Sequence, residues 1–185
     1  MIYYYEKNGL IMCERAEEPP LGVTSITRER MIPMPMTDEG HDPVLRADFE
    51  TDEVWYDIVE NLTGARNRII ALLTTHDKSR EVEVFHVGEV AMWLDRDTRT
   101  SLARNISVQQ AAGATMFSIW SEDAKPVRFD LPIDMAAQML AALETYATET
   151  YNVTQGHKAA LYDLQTVAEL EGYDYKAGYP EILKF

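Results

Sequence analysis

The sequence predicts an α+β protein in which a small antiparallel sheet packs against helices, with an N-terminal β-hairpin extension. Strand-prone runs stand between helical segments without a regular βαβ rhythm, which favours antiparallel pairing. An Asn-Gly pair near the N-terminus is the strongest short hairpin signal. Two longer segments carry apolar residues at the 3-4 spacing of an amphipathic helix. The 185 residues suffice for one domain, or for one domain with a small appendage.

Residues 1–50 are predicted to form a β-hairpin followed by an extended docking segment. The strand-prone runs 2–5 and 10–13 flank the Asn-Gly pair at residues 8–9, and residues 23–26 form a further short strand.

Methionine and proline alternate in the docking segment. Because Pro33 and Pro35 cannot donate ladder hydrogen bonds, we expect an extended segment there and not a central strand. Met31, Met34 and Met36 would then dock on a neighbouring subunit. Strand addition within the same chain is equally compatible with the pattern.

After a polar loop over residues 37–46, an amphipathic helix is predicted over residues 51–76. Thr51, followed by two acidic residues, can cap its first turn. Six apolar residues then share one stripe, namely Trp55, Ile58, Leu62, Ala65, Ile69 and Leu72. A short stripe that contains Gly64 is typical of a helix packed on its own domain. The alternative is a coiled-coil seam, which would make the chain a symmetric homo-oligomer. The candidate interaction residues are Trp55, Ile58, Leu62, Ile69, Met31, Met34 and Met36.

Residues 77–185 are predicted to form a C-terminal α+β domain. Two strand-prone runs around Gly88 indicate a hairpin. The helix that follows begins at Asp95 and ends at Gly113, and its inward residues are Leu102, Ile106 and Val108.

Two further strands, over residues 115–120 and 126–131, are joined by a predicted turn over residues 121–125. Pro132 then opens a long helix. The predicted buried stripe of this helix consists of Ile133, Ala136, Leu140, Leu143 and Ala147.

The predicted helix is interrupted near residues 152–156 and resumes over residues 157–164. Thr166 caps a short turn that follows. The aromatic tail is expected to dock on the domain.

Charge and cysteine content exclude several classes of function. Lys and Arg number 17 against 31 Asp and Glu, which gives a net charge of −14. Direct binding to nucleic acid or to an anionic membrane is therefore not expected, since both depend on basic surfaces. The single cysteine, Cys13, cannot form an internal disulfide. No signal peptide and no apolar run of membrane-spanning length is recognised, so we expect synthesis in the cytoplasm.

Candidate chemical sites are weak, and no catalytic, cofactor-binding or metal-binding residue is predicted. His41, within an acidic loop, could join a divalent cation site, but its spacing does not match an EF-hand. The charged run from Asp95 to Arg99 is typical of a helix start with local ion pairs. His76, His86 and His157 lack a nearby nucleophile in a known signature. We therefore predict a protein that is not an enzyme and has no cofactor.

From about residue 79 to residue 185 the sequence resembles a domain-of-unknown-function family of phage and prophage tail-associated proteins, in its gut-bacterial branch. The resemblance rests on these motifs: Val84-Phe85, Met92-Trp93-Leu94-Asp95, Thr98-Arg99, Ser118-Ile119-Trp120, Met135, Met139-Leu140, Leu143-Glu144-Thr145-Tyr146-Ala147, Tyr151-Asn152-Val153-Thr154, His157-Lys158-Ala159-Ala160, Tyr173-Asp174-Tyr175 and Gly178-Tyr179-Pro180. It implies a virion or tail-associated role and no activity, because the family has no established catalytic residues.

Three functions follow as expectations. The first is a structural or adaptor protein of a phage particle, acting through contacts with other phage structural proteins and with copies of itself. It would reside in the host cytoplasm during synthesis and then in the virion. The second is a tail-fibre assembly chaperone that is absent from the mature particle. The third is a small enzyme that uses His41 or the Asp95–Arg99 run.

Overall fold

A computed structural model describes residues 1–121 and 125–185 of the chain. Within these residues the chain forms nine strands and four helices, and every named strand pairing is antiparallel. The predicted α+β class, with small sheets packed with helices and an N-terminal hairpin, is confirmed. The chain divides into two compact units, each described by itself below. The N-terminal unit comprises Met1–Arg68 and Gln165–Glu171, and the C-terminal unit comprises Ile69–Leu164 and Gly172–Phe185.

The N-terminal unit begins with a three-stranded sheet in the order β2-β1-β3. Its strands are β1 (Ile2–Lys7), β2 (Leu10–Arg15) and β3 (Ser25–Arg28). Asn8 and Gly9 both have positive φ, at 56° and 78°, as a two-residue type I′ hairpin turn requires. The predicted hairpin is therefore confirmed, and the predicted short strand lies two residues later than expected.

A second hairpin follows, formed by β4 (His41–Asp48) and β5 (Glu53–Glu60). The predicted loop over residues 37–46 is therefore wrong from His41 onwards, and the first part of the predicted helix over residues 51–76 is wrong. Residues 53–60 are rich in β-branched and aromatic side chains, which suit a pleated surface better than a helix. Asp48 turns the chain by accepting hydrogen bonds from the Glu50 and Thr51 amides at 2.9 and 3.3 Å, so Thr51 caps no helix.

Eight hydrophobic side chains of this unit are buried, namely Ile2, Tyr3, Tyr4, Tyr5, Ile26, Ala65, Val167 and Leu170. One cluster contains Ile2, Tyr4 and Ile26. The partly buried residues packed against them are Ile11, Cys13, Ile32, Leu45, Ala47, Phe49 and Val54. The Tyr4 hydroxyl accepts a hydrogen bond from the Ile32 amide at 2.9 Å, which anchors the start of the methionine-proline segment.

Helix α1 (Leu62–Asp77) starts in the N-terminal unit and ends in the C-terminal unit. The Asn61 side chain caps it by accepting a hydrogen bond from the Gly64 amide at 2.7 Å. A Cβ atom at Gly64 would lie far inside 3.0 Å of the Glu39 carbonyl oxygen. Only glycine therefore allows the chain before β4 to pass so close to the first turn of the helix.

Helix α4 (Val167–Glu171) carries the predicted Thr166 cap in the form of a capping box. The Thr166 hydroxyl accepts from the Glu169 amide at 3.2 Å, and the Glu169 carboxylate accepts from the Thr166 amide at 3.0 Å.

The C-terminal unit contains two hairpins and two long helices. The first hairpin joins β6 (Val84–Val87) to β7 (Val90–Trp93), and the second joins β8 (Met116–Trp120) to β9 (Arg128–Pro132). The helices are α2 (Arg96–Ala111) and, directly after β9, α3 (Ile133–Asp163). The predicted hairpin around Gly88, the helix after Asp95 and the two later strands are all confirmed. The predicted turn over residues 121–125 falls largely outside the described residues.

One detail of α2 and one of α3 differ from the prediction. Leu102 and Ile106 are buried as expected, but Val108 is 61% exposed. The predicted interruption near residues 152–156 is wrong, because α3 continues through Gly156. A buried Thr154 holds this stretch by hydrogen bonds to Asp77 at 2.6 Å and to the Tyr179 hydroxyl at 2.8 Å.

The buried face of α3 is also rotated from the predicted stripe. Met139 and Tyr146 are buried, whereas Leu140 and Ala147 are half-buried. The Tyr146 hydroxyl donates to the Val82 carbonyl oxygen at 2.9 Å, so this phenol is buried with its polar group satisfied.

The aromatic tail docks as predicted. It lies parallel to β6, with the amides of His86 and Phe185 bonded to the carbonyls of Leu183 and His86, both at 2.9 Å. The Phe185 ring meets Phe85 edge-on at 6.0 Å between centroids. The tail therefore acts as an additional strand on the outer edge of β6.

Candidate interaction site

The methionines of the predicted docking segment are open to solvent. Residues 31–38 form no regular secondary structure. Met31, Met34 and Met36 are 59%, 66% and 99% exposed. Three flexible, polarizable side chains thus stand together on an extended stretch of backbone, which is a composition suited to irregular contact surfaces.

The four candidate interaction residues of the predicted helical stripe do not share one face. Trp55 and Ile58 lie on β5 three residues apart, so their side chains point to opposite faces of the hairpin. Leu62 begins α1 and is half-buried, and Ile69 is buried. The prediction of a helical seam running from Trp55 is therefore wrong, because the helix starts only at Leu62.

Trp55 and Ile58 are nevertheless exposed, on a strand and not on a helix. Trp55 lies on the outer face of β5, where its indole N–H donates to Asp57 at 2.9 Å and its ring is 41% exposed. Ile58 pairs with Pro43 and is 54% exposed. Together with other exposed large apolar residues they form what we call the apolar set of the N-terminal unit: Met1, Leu10, Met12, Leu21, Val23, Met31, Met34, Met36, Trp55 and Ile58.

His41 forms a surface ion pair with Asp38. Its Nδ1 lies 2.8 Å from Asp38 Oδ1. This hydrogen bond raises the pKa of His41, and the same bond, followed by one from the Gly40 amide, lowers the pKa of Asp38. Within residues 1–121 and 125–185, no group of three or more His, Cys, Asp or Glu side chains is placed to hold a metal ion.

The charged run from Asp95 to Arg99 has structural roles. Asp95 caps α2 by accepting a hydrogen bond from the Thr98 amide at 2.7 Å. Burial alone would raise the pKa of Asp95, but the hydrogen bonds from Thr98 and Trp93 outweigh it and lower that pKa. Arg99 pairs with Glu144 at 2.6 Å. The expected helix start is present, but the ion pair of Arg99 is made with Glu144 of α3 and is not local.

Two histidines hold the region before the tail. His157 Nε2 bonds to the Ala177 carbonyl oxygen at 2.8 Å, so it carries the proton, and Nδ1 accepts from the Tyr173 hydroxyl at 2.7 Å. His76 lies in the last turn of α1, with Nδ1 3.2 Å from Glu81 and its ring edge-on to Tyr179 at 5.1 Å. These contacts give both histidines a packing role.

Glu83 lies beside a small cavity of about 120 Å³. Burial raises its pKa, and the nearby carboxylates of Asp77 and Asp95 raise it further. Arg99 and Tyr146 line the same cavity. The space suits a few water molecules and is smaller than a usual ligand pocket.

A larger groove lies between the two hairpins of the C-terminal unit, and sequence reasoning missed it. The groove has a volume of about 400 Å³, within the usual range of ligand pockets. Its apolar lining residues are Phe85, Met92, Leu102, Phe117 and Ile119, and its remaining lining residues are Trp93, Asp95, Asp97, Thr98, Ser101, Asn105, Ser118 and Trp120. We call it the β7–β8 groove. No motif marks it, because its walls come from separate stretches of sequence.

The β7–β8 groove is bordered by strand edges. Four consecutive residues of β8, 117–120, and two of β7, Met92 and Trp93, line it. Since neighbouring strand residues point to opposite faces, a consecutive run marks the edge of a strand and not one of its faces. Among the described residues, β7 pairs only with β6 and β8 only with β9.

The charged residues among the described lining residues of the groove are two aspartates. Asp95 and Asp97 line it, and no lysine or arginine is among its described lining residues. The two indoles at its rim are each approached by a guanidinium from outside the lining, Arg80 at 4.8 Å from Trp93 and Arg128 at 6.0 Å from Trp120. Both rings therefore already have a cation–π partner within the chain.

Comparison with known proteins found no family model, no curated protein and no solved structure that matches this chain. The resemblance to phage tail-associated proteins therefore stays a prediction. None of the described helices combines the length and the apolarity that a bilayer crossing demands.

Proposed function

We propose that the chain is a structural or adaptor protein of a bacteriophage or prophage particle, associated with the tail or tail fibre, that works without catalysis through protein–protein contacts. The observation that carries the proposal is the imbalance within the N-terminal unit. Eight hydrophobic side chains of this unit are buried, while ten large apolar side chains stay exposed. A partner surface that covered these side chains would supply the burial that this unit lacks.

The small sheets support the same proposal. Within the described residues the largest sheet has three strands, so edge backbone groups are plentiful. Edge strands with exposed apolar residues, such as β2 with Leu10 and Met12, are suited to pairing with another chain. A homo-oligomer is part of the proposal, and it now rests on the apolar set and no longer on a helical seam.

Particle composition tests the proposal directly. The phage or prophage that encodes the chain is purified as particles, and mass spectrometry measures whether the chain is present in stoichiometric amount. Presence is the expected result. Absence from particles that still need the gene for fibre assembly would instead identify an assembly chaperone, and absence together with dispensability would overturn the proposal.

Matched variants connect incorporation to the apolar set. Replacing Met31, Met34 and Met36 with serine is expected to reduce incorporation at least about tenfold, because three apolar contacts of about 1 kcal/mol or more are lost. The control replaces Met116 and Met135, which are 49% and 54% exposed in the C-terminal unit. Equal incorporation of the two variants would show that the methionine segment does not mediate attachment to the particle.

A further inference from the structure

We propose that the β7–β8 groove binds an extended, basic segment of a partner protein, which adds a strand between β7 and β8. This inference rests on the proposed function, because both require that the chain binds another protein. The groove belongs to the C-terminal unit and shares no residue with the apolar set of the N-terminal unit.

The strand edges argue for an extended ligand. Both borders of the groove present backbone groups that have no ladder partner among the described residues. An inserted strand can satisfy such groups on both of its own edges, whereas a helix satisfies its backbone internally. The outer edge of β6 already accepts the segment around Lys184 in this manner, with backbone hydrogen bonds of 2.8–2.9 Å.

The groove walls argue for alternating side chains. Phe85, Phe117 and Ile119 are core residues that also line the groove, so apolar ligand residues would extend an existing core. In a strand every second side chain points the other way, towards the rim. A segment of alternating apolar and polar residues therefore matches the groove.

The charges argue for lysine or arginine at the polar positions. The lining holds two carboxylates, and the Asp97 side chain has no ion-pair partner in residues 1–121 and 125–185. Asp97 lies in the first turn of α2, where it is exposed to solvent. A basic ligand side chain would pair with Asp97.

The test uses three synthetic, capped hexapeptides and the full chain, with binding measured by calorimetry. One peptide alternates valine and lysine, one alternates valine and glutamate, and one is the lysine peptide with alternate backbone nitrogens methylated. We expect saturable binding of the lysine peptide and at least about tenfold weaker binding of the other two. Equal affinity for lysine and glutamate peptides, equal affinity for the methylated peptide, or no binding up to about 1 mM would overturn the proposal.

Matched variants locate the site. Ser101 and Ser107 are both exposed on α2, but only Ser101 lines the groove. Ser101→Phe is expected to abolish binding of the lysine peptide, and Ser107→Phe to leave it unchanged. Asp97→Asn should weaken binding about twofold to fivefold, as for an exposed ion pair. The first-turn acid of α3 provides the control Asp134→Asn, with no change expected. An unchanged affinity of Ser101→Phe would place the peptide elsewhere and overturn the proposal.

Two other occupants are outcomes of the same experiment. Tighter binding of a chito-oligosaccharide than of any peptide, lost in Ser101→Phe, would assign the groove to a glycan and overturn the proposal. A dimer in sedimentation that dissociates in Ser101→Phe would assign it to a second copy of the chain, with the same consequence. These measurements use no particle, so their failure is distinguishable from the failure of the proposed particle role.

Discussion

Gly64→Ala is expected to destabilise the protein, although glycine within a helix is normally the less stable choice. Gly64 lies in the first turn of α1, and its amide donates to the capping Asn61 side chain. An added methyl group would collide with the Glu39 carbonyl oxygen, which is backbone and has no rotamer by which to move away. The neighbouring Asn61 amide amounts to a second obstacle, at 2.9 Å from the added carbon.

The magnitude follows from opposing effects. Alanine is favoured over glycine in an unhindered helix by about 1 kcal/mol. Forcing a methyl group into occupied space costs about 1–3 kcal/mol, and disturbing the helix cap costs about 1 kcal/mol more. A net decrease of about 1–3 kcal/mol in the free energy of unfolding is therefore expected.

Gly156 provides the control. It lies inside α3, and a Cβ atom there would meet nothing within 4 Å. Gly156→Ala is therefore expected to increase the free energy of unfolding by about 0.5–1 kcal/mol. Urea denaturation followed by circular dichroism measures both variants against the unmodified chain. Gly64→Ala that equals or exceeds the stability of the unmodified chain would refute the reasoning, because the close approach of Glu39 would then impose no cost.

Four further predictions concern ionisable groups. Burial raises the pKa of Glu83 above its unfolded value, so ionised Glu83 lowers the stability of the protein at pH 7. Glu83→Gln should therefore raise Tm at pH 7. This gain should disappear below pH 4.5, the pKa of an ordinary glutamate. The hydrogen-bonded ion pair with Lys176 lowers the pKa of Glu81, so Glu81→Gln should lower Tm at pH 7. Equal Tm shifts in Glu83→Gln and Glu81→Gln would contradict these two assignments. The pKa of His41, measured by NMR titration, should exceed 6.5 and should fall in Asp38→Asn. The stability that the His41–Asp38 pair contributes is present below the unfolded pKa of His41 and is lost as pH rises through its folded pKa. Asp95→Ala should lower the unfolding free energy by about 1 kcal/mol and Asp95→Asn by much less, since asparagine also caps, and equal losses would argue against the cap.

Local signals predicted much of the fold. The Asn-Gly pair specifies the type I′ turn between β1 and β2, because few other residues accept positive φ at both positions. Asp95 and Thr166 cap the helices that follow them. These predictions succeeded because each depends on hydrogen bonds or backbone angles within a few residues of the signal.

The helix predicted from residue 51 failed where local signals conflict. Apolar residues at 55, 58 and 62 fit a helical stripe, yet residues 53–60 also have the composition of a strand. Pairing with β4, whose Pro43 reads as a loop residue, decided the outcome. Strand pairing depends on a partner elsewhere in the chain, which periodicity within one segment does not contain.

The sequence by itself determined the class of the fold, the positions of most turns and caps, and the acidic character that argues against nucleic-acid partners. Only the tertiary structure decided which apolar residues stay exposed and that two strand edges border an acidic groove. The reason is that exposure and concavity depend on which distant segments pack together. Met92 of β7, Ser101 of α2 and Phe117 of β8 have no local relation in the sequence, and they line one groove only because the chain folds back on itself.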